Sequence, residues 1–487
     1  MLKRFFISFL GSMAAIWLSA GLLVILFFLT IVVALASSGS SEQPKPLTDD
    51  AVLKLDLSGS INERISTSNI MQMIYQQDKS EQGLNDILAA IRLASADSKI
   101  KGIYIECNGV AAGVASRQSI VEALNEFKKS GKWIVSYGDS YTQGDYMIAS
   151  VADSIYLNPL GTIDIHGLGS TTMFFAGLME KLGVEMQILR VGTYKSAVEP
   201  FMLKEMSPAS RQQQQEYINS IWHEIASIMA TNRNLDIADI NNWADSLVMT
   251  QDATYFVDNR IADQLIYKHQ LDDKVAGLCN IDDTDDINYI DVKDYVQTVN
   301  ANDPTRWADF IADKKKHIAV LYAVGDIVDS GDEGIVGDKM VAQIMELTDD
   351  DNVKGLILRV NSGGGTAFAS EQISEALEKF KATGMPFYAS MGDVAASGGY
   401  YISCGADKIY AQPTTLTGSI GIFGMIPNFK KLLNNQLGIT TSSVTSNANG
   451  VFPNVMEPKT PFQANQMQKM INRGYETFVG RCAQGRA

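Results

Sequence analysis

Apolar and polar positions along this chain repeat in two long, matching series. Ile100-Lys101-Gly102-Ile103-Tyr104-Ile105 and Val353-Lys354-Gly355-Leu356-Ile357-Leu358 are apolar runs of strand length, broken at the same place by Lys-Gly. Ile120, Ala123, Leu124 and Phe127 recur as Ile373, Ala376, Leu377 and Phe380. Within each set the spacing is i, i+3, i+4, i+7, which lays one apolar face along a helix. Glu122 and Glu375 occupy the same place on that helix. Further on, Ser136-Tyr137-Gly138-Asp139 matches Ser390-Met391-Gly392-Asp393, and Ala152-Asp153-Ser154-Ile155-Tyr156 matches Ala406-Asp407-Lys408-Ile409-Tyr410. Val52-Leu53-Lys54-Leu55-Asp56-Leu57 and Ile318-Ala319-Val320-Leu321-Tyr322 supply an opening strand to each series. Each half is therefore expected to run strand, glycine-bearing loop, helix, strand, turn, helix, strand. Such alternation predicts a duplicated α/β protein with mainly parallel pairing.

The N-terminus departs from this pattern. Phe5 to Ala36 carries no charge, and Lys3 and Arg4 precede it. A membrane span needs roughly 20 apolar residues, whereas a cleavable signal core has about 7–15. The run is expected to be an uncleaved anchor, with the short N-terminal tip in the cytoplasm and the rest across the membrane. The expected organisation is a tip and anchor at 1–36, a Ser/Gly/Pro-rich tether at 37–50, a first repeat at 51–280, a polar acidic linker at 281–304 and a second repeat at 305–487. The first half continues well past Glu216-Tyr217-Ile218 to Phe256-Val257-Asp258, whereas the second ends at Ala487 soon after Tyr475. By internal symmetry a closing helical segment is expected to be missing.

Composition narrows the chemistry. The formal charge of −15 argues against a nucleic-acid partner. Cys107, Cys279, Cys404 and Cys482 form no short-spaced pair, and the four histidines form no HExxH pattern, so neither a metal nor another cofactor is expected. Cys107 and Cys404 are expected to be buried, inert thiols.

The halves differ where chemistry would sit. The second reads Met391-Gly392-Asp393-Val394-Ala395-Ala396-Ser397-Gly398-Gly399-Tyr400-Tyr401, and the first has Gln143 in place of Ser397. Ser397 falls between a strand and a helix starting near Tyr400, a position that suits either a nucleophile or a helix cap. Gly363-Gly364-Gly365 follows a strand and can turn backbone N–H groups outward, while the matching stretch from Asn108 to Gly113 has lost the triple glycine. No histidine follows His317, so nothing downstream of that residue supplies the histidine of a Ser-His-Asp triad. A lysine is the other base available, if burial lowers its pKa. Lys195 lies among small and apolar residues, and its counterpart region at Asn449-Gly450 has no lysine. Each half lacks what the other keeps.

Gly192-Thr193-Tyr194-Lys195-Ser196-Ala197-Val198-Glu199-Pro200-Phe201, Ala395-Ala396-Ser397-Gly398-Gly399-Tyr400 and Leu416-Thr417-Gly418-Ser419-Ile420-Gly421 resemble, in order, the motifs of the long, double-repeat signal peptide peptidases of the SppA type. The resemblance implies tandem crotonase/Clp-protease-like repeats of ββα units after one transmembrane helix. It also implies a homo-oligomer, a tetramer in the family, on the outer face of the bacterial inner membrane, degrading signal peptides and other hydrophobic peptides. By position it makes Ser397 the nucleophile and Lys195 the general base. Ser419 would orient the lysine, and the amides of Gly364, Gly365 and Gly398 would hold the oxyanion. Gly363 stands where the family loop usually has proline. Two alternatives stay open: a crotonase-type acyl-thioester enzyme and a catalytically impaired scaffold.

Overall fold

Alternating apolar runs and amphipathic stretches do fold into two parallel sheets flanked by helices. The computed structural model describes residues 2–38, 47–65, 82–302 and 316–486. In chain order the first half contains α1 (Leu2–Ser38), β1 (Ala51–Asn62), β2 (Gln82–Gly83), α2 (Leu84–Ala96), β3 (Ile100–Ala111), α3 (Val114–Lys128), β4 (Trp133–Gly138), α4 (Gln143–Ala149) and β5 (Ser154–Leu157). Next come α5 (Ala176–Leu182), β6 (Glu185–Val191), α6 (Pro208–Arg233), α7 (Ile237–Asp245), α8 (Ala253–Asp258), β7 (Gln264–Leu265), α9 (Leu271–Cys279), β8 (Tyr289–Asp291) and α10 (Val292–Asn302). Strand order is β2-β1-β3-β4-β5-β7, with β8 also on β1 and every pairing parallel.

One face of this sheet buries Leu53, Leu55, Ile103, Ile105 and Ile134 against Ile120, Leu124 and Phe127 of α3. On the opposite face Val52, Tyr104, Val135 and Tyr156 are covered by Leu271, Val275 and Ala276 of α9. Each such side chain contributes about 1.5–3 kcal/mol when fully buried. Helix ends follow local chemistry. Thr142 and Asp145 close a capping box on α4, and Ser207 caps α6, whose first residue is Pro208.

The second half contains β9 (His317–Val324), β10 (Ile327–Val328), β11 (Ile335–Val336), α11 (Gly337–Asp349), β12 (Val353–Ser362), α12 (Ala367–Ala382), β13 (Phe387–Ala396), α13 (Gly398–Ser403), β14 (Lys408–Tyr410), β15 (Leu416–Gly418), β16 (Ile422–Asn428) and α14 (Pro461–Arg486). Its main sheet runs β14-β13-β12-β9, with β15 also on β13, again all parallel. Leu356, Leu358, Ile373, Leu377 and Phe380 form its core. The duplicated α/β pattern is thus present in both halves.

Three expectations need adjustment. The stretch expected to be a linker at 281–304 is folded through Asn302: β8 pairs with β1, and Ile290 and Tyr295 are fully buried. Their side chains join the core of the first half, which the polar average of the segment conceals. Of the expected tether, 39–46 lie outside the described residues, as do 303–315 at the junction between the halves. At the N-terminus α1 is one long helix, with Trp17, Leu18, Leu22, Leu23 and Phe27 exposed. Among the described residues no helix is long and apolar enough to cross a membrane. The expected span, Phe5 to Ala36, includes positions whose side chains lie outside that set.

The halves are joined by more than covalent continuity. β6 of the first half pairs antiparallel with β16 of the second, from Glu185↔Asn428 to Val191↔Ile422. Glu63, near the end of β1, is 5 % exposed and receives Arg359 Nε at 2.8 Å, Arg359 Nη2 at 3.1 Å and Asn361 Nδ2 at 3.2 Å. The Asp393 carboxylate accepts the Ser116 N–H at 2.9 Å and its hydroxyl at 2.6 Å, in the first turn of α3.

Candidate active site

The β6–β16 ribbon sets the geometry. At its Val191/Ile422 end the two strands open into the Gly192–Lys195 turn and the Gly418–Gly421 turn. Two segments from different halves therefore meet at one point. Gly192 has φ +103°, a conformation glycine takes without strain, and its carbonyl accepts the Lys195 N–H at 3.2 Å. The turn sends the Lys195 side chain inward, where only 7 % of the residue is exposed. Gly421 makes room for the stem, since a Cβ there would lie 3.1 Å from Lys195 Cδ.

Lys195 Nζ lies 3.0 Å from Ser397 Oγ, 3.0 Å from Ser419 Oγ and 3.0 Å from the Ser419 carbonyl oxygen. Ser419 reaches it because Gly418 and Ser419 are both left-handed, at φ +81° and +54°. Burial pushes the Lys195 pKa below the ordinary 10.5. Among the described residues no carboxylate comes within ion-pair distance to oppose that shift. The nearest in sequence, Glu199, is occupied by Arg190 at 3.4 Å and by the Ser207 hydroxyl and N–H at 2.7 and 3.1 Å.

Ser397 follows the last residue of β13 at φ 54° and ψ −117°. A non-glycine residue there carries strain of order 1–3 kcal/mol, which the surroundings must hold in place. Its N–H donates to the Gly418 carbonyl at 2.9 Å and its carbonyl accepts from Tyr401 N–H at 2.9 Å. It occupies the cap position of α13, yet its side chain makes no cap hydrogen bond. The hydroxyl faces Lys195 instead. The helix expected to start near Tyr400 begins earlier, at Gly398, and ends at Ser403.

The glycine loop packs directly against this serine. Gly364 has φ +99°, and a Cβ on it would stand 2.5 Å from Gly398 N and 2.8 Å from Ser397 Cβ. Gly365 passes so close to the Ile327 carbonyl that any side chain would collide with it. A Cβ at Gly398 would meet Ser370 Oγ at 2.6 Å. The expectation for Gly364 as an oxyanion donor is modified here. Its N–H already donates to Ser362 Oγ at 3.1 Å, and its carbonyl accepts Ile327 N–H at 2.9 Å. Both of its backbone groups thus serve the loop itself.

In the first half the equivalent place is closed. Gln143 Oε1 accepts the N–H groups of His166 and Gly167 at 3.0 and 2.8 Å, and its Nε2 donates to the Gly167 carbonyl at 3.1 Å. The amide knits together the turn matching Gly418–Gly421. A cleft of about 570 Å³ runs between Gln212, Gln213, Glu216, Tyr217 and Ile221 of α6 and Tyr194, next in sequence to Lys195, with Leu416 of β15.

Sequence inspection did not find this cleft, the cross-half ribbon, or the tie from Asp393 to α3. Asp393 belongs to the repeated Gly-Asp motif, so a signal existed, but its partner lies in the other half. Among the described residues no cluster of side chains is arranged to hold a metal ion.

Comparison with known proteins gives a consistent result. Residues 126–282 and 379–487 match peptidase family S49. The chain is 34 % identical to Protease 4 of Haemophilus influenzae over 478 residues, covering 94 % of this chain and 76 % of that protein. It is 26 % identical to a chloroplastic serine protease SPPA of Arabidopsis thaliana, covering 81 % of this chain and 58 % of the relative. A putative signal peptide peptidase SppA of Enterococcus faecium is 35 % identical over 35 % of this chain and 51 % of its own length.

Proposed function

The chain belongs to peptidase family S49 and is a protease, and from that premise we propose that it is a serine endopeptidase working through a Ser397–Lys195 dyad. The observation that carries the proposal is the 3.0 Å approach of a buried lysine amine to the hydroxyl of a strained serine. In the reactive state Lys195 is neutral. Its two N–H bonds go to the Ser419 hydroxyl and carbonyl oxygens, which turns the nitrogen lone pair toward Ser397. Lys195 takes the hydroxyl proton as Ser397 Oγ attacks the peptide carbonyl. The oxyanion is held by the Gly398 N–H, next to the nucleophile, together with the Gly365 N–H. Gly364 joins them only if its N–H leaves Ser362. The Lys195 ammonium then protonates the leaving amine, and water resolves the acyl-enzyme.

The substrates proposed are hydrophobic peptides, including released signal peptides, in keeping with the name of the Enterococcus relative. Each half is proposed to be a crotonase/Clp-protease-like repeat, a reading its parallel α/β sheet supports, and the chain is proposed to work as a homo-oligomer. The uncharged run Phe5–Ala36 is proposed to anchor it in the bacterial inner membrane, with the dyad on the outer side. The backbone of α1 is helical over 37 residues, about 55 Å, which exceeds the roughly 30 Å hydrocarbon core. Carbonate extraction of membranes tests the anchor: release of the chain into the soluble fraction would overturn it.

A fluorophosphonate probe tests the dyad. Wild-type protein is expected to be labelled, Ser397→Ala not at all, and Lys195→Ala far more slowly. Undiminished labelling of Ser397→Ala would refute the proposal.

A further inference from the structure

The C-terminal helix α14 lies along α13, the short helix that begins immediately after Ser397. Phe478 packs against Tyr401, with ring centroids 4.6 Å apart and the rings tilted by 43°. Arg486 Nε donates to the Cys404 carbonyl at 3.0 Å, and its Nη2 donates to the Ala406 carbonyl. Gly485 passes the Cys404 carbonyl so closely that a side chain there would overlap it. Phe478, Cys482 and Gly485 are spaced i, i+4, i+7 and share one face of α14, while Tyr401 and Cys404 share one face across α13 and its C-cap. With Phe478 on Tyr401 and Gly485 and Arg486 against the Cys404 backbone, Cys482 lies on the turn of α14 between those contacts, on the side that faces α13.

We propose that Cys404 and Cys482 are a redox-active dithiol pair that closes to a disulfide and fastens α14 to the helix that follows the Ser397 nucleophile. Both cysteines are free here, Cys404 buried and Cys482 half-buried. Cys482 is therefore the point of entry. The neighbouring Cys404 thiol holds the Cys482 thiol below its ordinary pKa, while the same closeness and burial push the Cys404 thiol up, whose S–H also donates to the Tyr401 carbonyl at 3.1 Å. The oxidant is a small-molecule disulfide such as oxidised glutathione. The Cys482 thiolate attacks one of its sulfurs and expels one glutathione thiolate. Cys404, giving up its proton, then attacks the Cys482 sulfur of the mixed disulfide and expels the second. Two protein thiols are oxidised, and one glutathione disulfide is reduced to two thiols. The other two cysteines sit apart from this pair, Cys107 on β3 and Cys279 at the end of α9.

The consequence is mechanical. α14 also holds α12 through Arg481, whose guanidinium reaches the Glu371 carboxylate at 2.5 Å. A covalent tie at Cys482 would hold α13 and α12 together behind the glycine loop. The pair is independent of the proposed catalysis, and its test reads no activity.

Full-length protein is incubated folded with oxidised glutathione, and peptides are mapped by mass spectrometry without reduction. A Cys404–Cys482 cross-linked peptide is expected in wild type. Cys404→Ser should stop at a glutathione adduct on Cys482, and Cys482→Ser should form neither the cross-link nor an adduct on Cys404. Hydrogen exchange across α14 should slow in the oxidised wild type, by on the order of a hundredfold, compared with the reduced protein. Two separately glutathionylated cysteines, or two that remain alkylatable after oxidation, would overturn the proposal.

Discussion

Lys195 is a cation placed where a cation is poorly stabilised. Its three oxygen partners are neutral, and burial lowers its pKa from 10.5. Between the lowered folded value and 10.5 the unfolded chain binds more protons than the folded one, so this group's contribution to stability rises with pH through that window. Below it, the penalty of the buried ammonium is felt in full. Lys195→Met is therefore expected to raise the urea midpoint at neutral pH while lowering kcat about 10²–10⁴-fold. A lower midpoint would mean that the three hydrogen bonds outweigh desolvation. In wild type, kcat/KM should climb on an alkaline limb whose midpoint lies below 10.5. Ser419→Ala removes one of the oxygens that orient the amine, so kcat should fall roughly 10–100-fold with little change in KM. A KM effect alone would give Ser419 a binding role instead. That Ser397 and Lys195 would meet was legible because each half kept what the other lost. The role of Gly364 was not, because whether its N–H faces a substrate or Ser362 depends on local torsions that composition does not encode.

At the scale of elements, the alternating strands and helices could be read from local periodicity, and β3, α3, β12 and α12 lie where that periodicity put them. What could not be read was the pairing of β6 with β16. Antiparallel strands so distant in sequence leave no turn signature, and their residues are only half-buried, so alternation is weak. The 281–302 segment misled for a related reason: only a few of its apolar residues, Ile287, Ile290 and Tyr295, are buried, and the rest, such as Val292, Val296 and Val299, are partly covered. The glycine loop gives a sharp test of an element's fit. Gly364→Ala would bring a methyl to 2.5 Å from Gly398 N while also forcing φ +99° on alanine. Both effects act against the folded loop, and the expected loss is about 1–3 kcal/mol in denaturant unfolding. Probe labelling of Ser397 should fall with it. Unchanged labelling would show that the loop can move without disturbing the serine.

At the scale of the whole molecule, the halves depend on each other energetically as well as chemically. Glu63 is buried and bound by Arg359 and Asn361 of the other half. Removing one partner of such a pair leaves a buried charge uncompensated, so Glu63→Gln should cost about 3 kcal/mol, read by denaturant unfolding. The same closeness decides where the proposed dyad would form. Lys195 and Ser397 meet within a single chain, brought together by a ribbon whose two strands both belong to it. An oligomer of such chains would contain one complete dyad per subunit. Full-length Lys195→Ala and Ser397→Ala proteins, dissociated and reassembled together, should therefore regain no peptidase activity, because neither chain can lend its remaining group across a subunit boundary. Mixing wild type with Ser397→Ala should lower activity only in proportion to dilution. If β6 instead exchanged between neighbours, pairing with the β16 of another copy, the two inactive variants would complement each other. Recovered activity in that mixture would replace the intrachain dyad with one shared between subunits, leaving the local chemistry of Ser397, Lys195 and Ser419 unchanged.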